Sequence, residues 1–510
     1  MNETHAIYYQ AFSARDVRFD GQFFIGVTTT GIYCRPICPA KTPNAANCQF
    51  FDNAMSAEQA GFRPCLRCRP EIAPLMQMAH KQPVSDWLNH QFDEHLIEGQ
   101  ASIGAAAKHF KLSERHIRRL IMAETGVSPI AFIQTRRLLL AKQLLTETSL
   151  PITDIAFASG FNSVRRFNEL LRKRYHLTPS QLRRSAANKK NCPENDCELI
   201  QAGEQTLQVQ LSYRPPYDWP AMLDYISTRA LKGVEWVNGN GYYRTAQIAH
   251  CTGWFSVQPS TKKHCLTITL SYGLVPVLSA VMARIRNLFD LSAQPHIIFS
   301  HLAKDVNLRE FLTPPNNTSA AHNLDACWGI RVPGAFDGFE LAVRAILGQQ
   351  ISVKAATTLA RRYVHALGEE ILTPFPELTH LSPNAQKVAS LAVDDLSCLG
   401  ILSGRAASII ALAHAYVNGD VQLQAASYNI HNLQQLLALP GLGPWTAEYI
   451  AMRAMRWPDA FPKEDMVLRR QMGGLTARQA EQISQAWRPW RSYAVLALWR
   501  AAAHKTALQT

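Results

Sequence analysis

Four cysteines constrain this chain more than any other feature. Cys34 and Cys38 stand in CRPIC, Cys65 and Cys68 in CLRC, with 26 residues between the pairs. Two short-spaced pairs brought together by a small fold set four thiolates at about 2.3 Å around a tetrahedral Zn²⁺. The intervening loops are rich in Pro and Asn, as expected of a small domain that needs a metal to hold it together. Spacing alone leaves two readings open, a structural knob and a reactive centre. Cys48 lies inside the loop but outside the paired pattern, and the other cysteines among the eleven are scattered. That distribution argues against a disulfide framework and for a reducing compartment.

A chain of 510 residues is too long for one core, and a prior of about 150 residues per domain predicts three or four domains. The net charge of +13 favours an anionic partner, which for a soluble protein points to nucleic acid. No stretch is long and apolar enough to span a membrane. The N-terminal MNETHAIYYQAFSARD has neither a basic start nor an apolar core, so no secretion signal is expected and the predicted location is the cytoplasm, at the nucleoid.

Residues 84–184 read as helical. SIGAAAKHFKLSERHIRRLIMAETG has apolar positions at helical spacing, a break at Lys111 and Leu112, and Ser113 as N-cap of a helix bearing Arg115, His116, Arg118 and Arg119. A second copy follows in PITDIAFASGFNSVRRFNELLRKRYHLTPSQLRR, with Gly160 in the turn, Asn162 or Ser163 as cap, and Arg165 and Arg166 on the next helix. Each copy has the form of a helix-turn-helix with a basic second helix, joined by the helical RRLLLAKQLL. SAANKKNCPENDCELI is polar and without period, a linker whose Cys192 and Cys197 are incidental thiols. Strand-like alternation then appears in TLQVQLSYRPPYDW, GYYRTAQI, GWFSVQP and HCLTITLSYG, with helical patterns at AMLDYISTRAL and VLSAVMARIRNLFDL. From 326 the pattern is helical to the end. Within it, LPGLG turns tightly at Gly441 and Gly443, leaving amide N–H groups and a helix N-terminus to face an anion such as a DNA phosphate. Downstream lie Asp459, Glu464 and Asp465, any of which this unit could carry to a nucleotide held there.

TTGIYCRPICPAK with AGFRPCLRC resembles the N-terminal domain of Ada-type DNA alkylation-repair sensors over roughly residues 10–72, with all four ligand positions kept. The resemblance implies that Cys34 is both a zinc ligand, with Cys38, Cys65 and Cys68, and the acceptor of a methyl group from a DNA methylphosphotriester. A zinc-bound thiolate stays deprotonated and nucleophilic at neutral pH. Methylation would take the site from a formal charge of minus two to minus one, so repulsion from phosphate falls and DNA binding tightens. The helical repeat, with GF-N-S-x-x-x-F and TPSQLR, resembles the AraC-type DNA-binding domain, which implies promoter contacts from Arg115, Arg118, Arg119, Arg165 and Arg166 and an encounter with RNA polymerase. SYRPPYDWPAMLDYISTRALKGVEWV resembles the N-terminal domain of AlkA-type 3-methyladenine DNA glycosylases. RVPGAFDGFELAVRAILGQQISVKAATTLA, LGILSGRAASIIALAHAY, the LPGLG hairpin and WRPWRSYAVLALW resemble, in order, the helix-hairpin-helix glycosylases of the AlkA type. That resemblance implies Asp465 as the catalytic carboxylate and Trp445, Tyr449 and Trp499 as the lining of a pocket for a flipped base. It also sets Gln350, Gly441, Gly443 and Thr446 on the DNA, with Gln350 filling the gap the base leaves.

A purine alkylated at N3 or N7 is cationic and already a good leaving group, so such an enzyme has two tasks: to extrude the base, at a few kcal/mol, and to stabilise charge developing on the sugar. Relatives that also cut the strand carry a Schiff-base lysine two residues after the second hairpin glycine, where Trp445 stands here, so a monofunctional glycosylase is expected. No cysteine follows Trp499, so the iron–sulfur cluster of some relatives is not expected, and no Pro-Cys-His segment points to O6-alkylguanine repair. The expected fold is multidomain, mainly α with α+β parts. Its segments are a four-cysteine zinc domain over 1–75, two helix-turn-helix units over 76–185, a linker over 186–205, an AlkA N-terminal-like α+β domain over 206–325 and an all-α helix-hairpin-helix glycosylase domain over 326–510. The expected partner is double-stranded DNA, alkylated or promoter, bound by a monomer. The competing reading is a DNA-binding regulator whose glycosylase-like half has lost catalysis.

Overall fold

The computed structural model describes residues 3–74, 84, 88, 103–187, 205–260, 264–312, 329–425 and 427–507. The thiols Cys192 and Cys197 and most of the linker span lie outside them. Two compact units are present: Met1–Arg214 with Ile248–Thr252 and Pro259–Ala283, and Pro215–Gln247 with Gly253–Gln258 and Arg284–Thr510.

In the first unit a helix over Glu3–Ser13 precedes a four-stranded sheet of order β3-β1-β2-β4, with β1 at Phe24–Val27, β2 at Ile32–Cys34, β3 at Cys48–Phe51 and β4 at Arg63–Pro64. β1 runs antiparallel to β2 with Ile25 opposite Cys34, and β2 runs parallel to β4 with Tyr33 opposite Pro64. Strand alternation sends Ile25 and Cys34 to the side where the sulfurs gather with Phe12 and Phe23. Phe24 and Tyr33 go to the other side, where they pack with Ala54, Ala57, Phe62 and Leu139. Leu139 belongs to the long helix Pro129–Glu147, which starts with Pro at its first position and Ser128 capping Ala131 N–H. The sheet and the connecting helix therefore share one core.

The expected helix-turn-helix pairs are present. Helices at Ile103–Phe110 and Glu114–Thr125 flank a turn at Lys111, and helices at Ile152–Ala158 and Val164–Tyr175 flank one at Gly160. Ser113 and Ser163 accept from the N–H of His116 and Arg166, so of the two candidate caps in the second copy it is Ser163 that acts.

A five-stranded sheet has the order β5-β9-β8-β7-β6, with β5 at Thr206–Ser212, β6 at Glu235–Asn238, β7 at Gly241–Ile248, β8 at Cys251–Pro259 and β9 at Cys265–Ser271. Four of these strands coincide with the alternating segments of the sequence. β6 does not alternate, because only Glu235 of its four residues is buried. Leu207, Val209 and Leu211 of β5 face Leu270, Ile268 and Leu266 of β9.

The second unit is helical from Gly338 onward. Its first long helix, Gly338–Leu347, is tied to β6 and β7 by a buried charge network. Arg244 bridges Glu235 and Glu340, and Arg344 donates to Glu235 at 3.0 Å. Although burial alone would raise it, Arg344 and Arg244 hold the Glu235 carboxyl down at about 2.

Candidate functional site: a sulfur cluster and an aromatic cup

Cys34 ends β2, Cys65 follows β4, and Cys38 and Cys68 stand in the turns just beyond. Parallel pairing of the two strands sets the pairs side by side, so the four sulfurs lie within 4.8 Å of one another, all buried. Tetrahedral zinc with bonds of about 2.3 Å needs sulfurs about 3.8 Å apart, a small adjustment from this cage. Two main-chain donors already point at sulfur: Arg35 N–H at Cys68 Sγ and Arg67 N–H at Cys65 Sγ, each 3.3 Å. Such bonds favour thiolate. Hydrogen bonding with Cys38 and Cys65 pushes the Cys34 thiol up, and the contact with Cys34 pulls Cys65 down. Sulfurs this close repel as thiolates, and a divalent cation removes that conflict. The donor set thus fits zinc. Cys48 is apart from it, its thiol directed at Asn44 O at 3.5 Å.

Arg115, Arg118 and Arg119 are exposed on one basic helix, Arg165 and Arg166 on the other. Ile117 and Ile121, and Phe167, Leu171 and Tyr175, turn inward on the opposite faces. Arg118 reaches Glu114 one turn away at 3.3 Å, an exposed pair that a phosphate could displace at little cost.

In the second unit the hairpin joins helices Ile430–Ala438 and Pro444–Arg453. Gly441 carries the left-handed backbone, φ +76°, and a Cβ there would meet Ser408 Oγ at 2.2 Å. Gly443 has an ordinary φ of −81° and caps the second helix, with open space before it. The turn itself needs only Gly441; what Gly443 provides is an unobstructed approach to the helix N-terminus. Thr446 is buried, and its hydroxyl accepts from Gln349 at 3.0 Å. Gln349 also donates to Gly441 O at 2.9 Å, bracing the loop on which Gln350 stands exposed at φ +56°.

Asp465 is the N-cap of Met466–Gln471, its Oδ1 accepting from Leu468 N–H at 2.7 Å. The same oxygen accepts from Trp499 Nε1 at 3.1 Å, and Oδ2 accepts from Trp445 Nε1 at 2.9 Å. Trp445 stacks on Tyr449, centroids 5.2 Å apart and planes 12° apart, and Trp499 lies 6.2 Å from Tyr449. Three aromatic rings and one carboxylate thus form a half-buried cup. The neighbouring acids are elsewhere: Asp459 is buried in ion pairs with Arg491 and Arg488, both 2.8 Å, while Glu464 Oε2 is buried with no hydrogen-bond partner among the described residues.

Sequence reasoning missed the second layer of the cup. Arg453, anchored on Pro333 O and Gly334 O, donates to Tyr449 Oη at 2.6 Å and to Tyr225 Oη at 3.3 Å. Burial would raise the Tyr449 phenol, but Arg453 and Arg229 bring it down to about 8. Tyr225 could have been suspected only as part of the apolar face it shares with Met222 and Ile226 on Trp219–Ser227.

Family models match along the chain in order: the metal binding domain of Ada over 7–71, a helix-turn-helix domain over 106–185, the AlkA N-terminal domain over 208–337, and the HhH-GPD superfamily of base excision DNA repair proteins over 343–491. Over 97% of its length the chain is 35% identical to a probable bifunctional transcriptional activator/DNA repair enzyme AlkA of Mycobacterium tuberculosis (strain H37Rv), 96% of which is covered. The chain belongs to the Ada–AlkA family of fused activators and DNA repair enzymes. It is also 34% identical to DNA-3-methyladenine glycosylase 2 of Escherichia coli (strain K12), over 57% of this chain and 95% of that one. With the bifunctional transcriptional activator/DNA repair enzyme Ada of the same strain it shares 34% identity over 35% of this chain and 49% of that one. As a member of this family the chain joins a zinc-binding domain, a helix-turn-helix activator and a DNA glycosylase fold, and DNA is its partner. Among the described residues no helix is long and apolar enough to cross a membrane.

Proposed function

We propose that the chain acts on alkylated DNA twice: it hydrolyses the N-glycosidic bond of purines alkylated at N3 or N7, and it takes a methyl group from a backbone methylphosphotriester onto Cys34. The observation that carries the first activity is the Asp465 carboxylate, half-buried and held by two indole N–H groups at the mouth of three aromatic rings. Trp445, Tyr449 and Trp499 would receive the cationic base, each ring contributing about 0.5 to 2 kcal/mol through cation–π attraction. Asp465, oriented by the indoles, would stabilise positive charge on the sugar and orient the attacking water. The helix N-terminus beyond Gly443 would hold a phosphate, and Gln350 would occupy the gap left in the duplex. Lys463, the lysine of this stretch, pairs with Glu481 at 3.5 Å. With Trp445 at the Schiff-base position, the product would be an abasic site on an intact strand.

For the sensor, one zinc ion held by Cys34, Cys38, Cys65 and Cys68 would keep the Cys34 sulfur as a thiolate. Cys34 Sγ attacks the methyl carbon, the S–C bond forms as the C–O bond breaks, and the electron pair stays on oxygen as the phosphodiester anion. The thioether is permanent, so the step happens once per chain. The methylated form would bind promoter DNA through Arg115, Arg118, Arg119, Arg165 and Arg166 and recruit RNA polymerase, as a monomer in the cytoplasm.

The deciding experiment is base release from methylated DNA. Wild type should release 3-methyladenine, and Asp465→Asn, which keeps the N-cap, should lose at least about 100-fold in rate by the scale of such electrostatic groups. A wild type that binds the DNA and releases nothing would leave only a DNA-docking role for this half. Mass spectrometry after exposure to methylphosphotriester DNA should find a single added methyl, on Cys34.

A further inference from the structure

Arg214 stands just past β5, within the stretch that matches the AlkA N-terminal domain, and is 1% exposed. Its Nε donates to Asp20 O at 2.8 Å and a terminal nitrogen donates to Pro74 O at 3.0 Å. The guanidinium fits because residue 21 is glycine: at φ +74°, a Cβ there would stand 2.1 Å from Pro74 O and 3.1 Å from the Arg214 terminal nitrogen. Asp20 uses its carboxylate for Arg35, in an ion pair buried on both sides. Arg35 in turn donates its main-chain N–H to Cys68 Sγ at 3.3 Å and its side chain to Cys68 O at 3.0 Å. A second path begins in the middle of the strand. Gln143 donates to Gln210 O at 3.0 Å, and Gln210 N–H donates to Glu147 at 3.3 Å. Glu147 pairs with Arg69, Arg69 with Glu71 at 3.1 Å, and Glu71 with the fully buried Lys142, which donates to Cys65 O at 3.3 Å. The two paths end on the two cysteines of the second pair.

We propose that β5 and Arg214 are a structural component of the zinc sensor: an intramolecular docking strand that holds the Cys65–Cys68 arm of the cluster in its ligating position. Removing a buried guanidinium that donates to two carbonyls takes a donor from each of them, and water enters. Asp20 is then free to shift, and Arg35 and the Cys68 loop shift with it. The sensor therefore does not end with the four-cysteine domain; it requires a strand that follows residues 188–204.

The inference rests on zinc binding by the four cysteines, and the experiment separates the two. Full-length zinc-loaded protein is mixed with a chromogenic chelator, and the rate of zinc transfer is followed. Arg214→Met should release zinc at least about tenfold faster than wild type, Arg214→Lys should recover part of the difference, and amide exchange at Arg35 and Arg67 should rise with the release rate. Equal release rates in wild type and Arg214→Met overturn the docking role while leaving the zinc site intact. A wild type that carries no zinc sinks both together. If Arg214→Met does not fold, Gln143→Leu on the second path is read the same way, and unchanged release again overturns the proposal.

Discussion

At the residue scale, the cup around Asp465 raises the question of what each indole contributes. A base would bind to the π face, whereas the carboxylate is held by the N–H edge, so substitution by phenylalanine separates the two. Trp499→Phe keeps an aromatic ring at the position where Trp499 now lies 6.2 Å from Tyr449, and deletes the 3.1 Å donor to Oδ1. A hydrogen bond to a charged group is worth about 1.5 to 3 kcal/mol, so single-turnover release of 3-methyladenine should fall by about 10- to 100-fold. Binding to DNA with an abasic-site analogue should stay within about twofold, since no base occupies the cup. Unchanged single-turnover release in Trp499→Phe would deny the indole N–H a part in the chemistry and assign Trp499 to base stacking alone. The choice among the three acids was not legible locally. Asp459 is separated from Asp465 by partners 29 and 32 residues downstream, Arg488 and Arg491, and no spacing rule announces such pairs. The cysteines were legible because a metal site is written as spacing.

At the scale of elements, one carboxyl joins three of them. Glu58, on the short helix Ala54–Gln59, accepts from Tyr33 at 3.2 Å, from Thr135 of the connecting helix at 3.2 Å and from Tyr175 of the second basic helix at 3.1 Å. Burial pushes its carboxyl up to about 7, against the pull of Arg174 and the three hydroxyls. Between its ordinary value of 4.5 and about 7 the folded chain keeps a proton that the unfolded chain has released. Stability of this unit should therefore fall as pH rises across that window, by up to about 1.4 kcal/mol per pH unit. Glu58→Gln keeps an acceptor for the hydroxyls and removes the titration, so its melting temperature should be flat over the same range and above wild type at pH 8. A wild-type slope surviving in Glu58→Gln would place the titration elsewhere. The hairpin gives a second test at this scale. Gly441→Ala forces a methyl onto Ser408 Oγ in a left-handed backbone, a strain of about 1 to 3 kcal/mol. Affinity for undamaged DNA should drop while zinc transfer stays as in wild type. Gly443→Ala, with open space before it, should fold normally and weaken DNA binding only by crowding the phosphate. The helix caps were readable, Ser113 outright and the second as Asn162 or Ser163, because capping is local chemistry; β6 pairs with the next strand but lacks alternation, and the Glu58 junction depends on partners far along the chain.

At the scale of the whole molecule, the chain carries a net charge of +13 toward a polyanion, so every binding step depends on salt. The order of domains was readable because each has its own texture: paired cysteines, helical repeats, alternating strands, then helices around a glycine hairpin. Contacts that cross those textures, such as Arg214 with Asp20, leave no pattern and emerge only in the folded chain. Charge also sets the last expectation. If methylation of Cys34 acts by taking the zinc site from minus two to minus one, its effect on promoter affinity is a charge effect, and screening must weaken it. The Debye length shortens from about 10 Å at 0.1 M salt to about 3 Å at 1 M. The ratio of promoter affinities, methylated over unmethylated, should therefore shrink as salt rises from 0.05 to about 0.5 M, beyond the general loss of affinity that both forms share. Fluorescence anisotropy with a promoter duplex at four or five salt concentrations measures it. A ratio independent of salt would mean that methylation acts through the shape of the Cys34 loop and the helices packed on it.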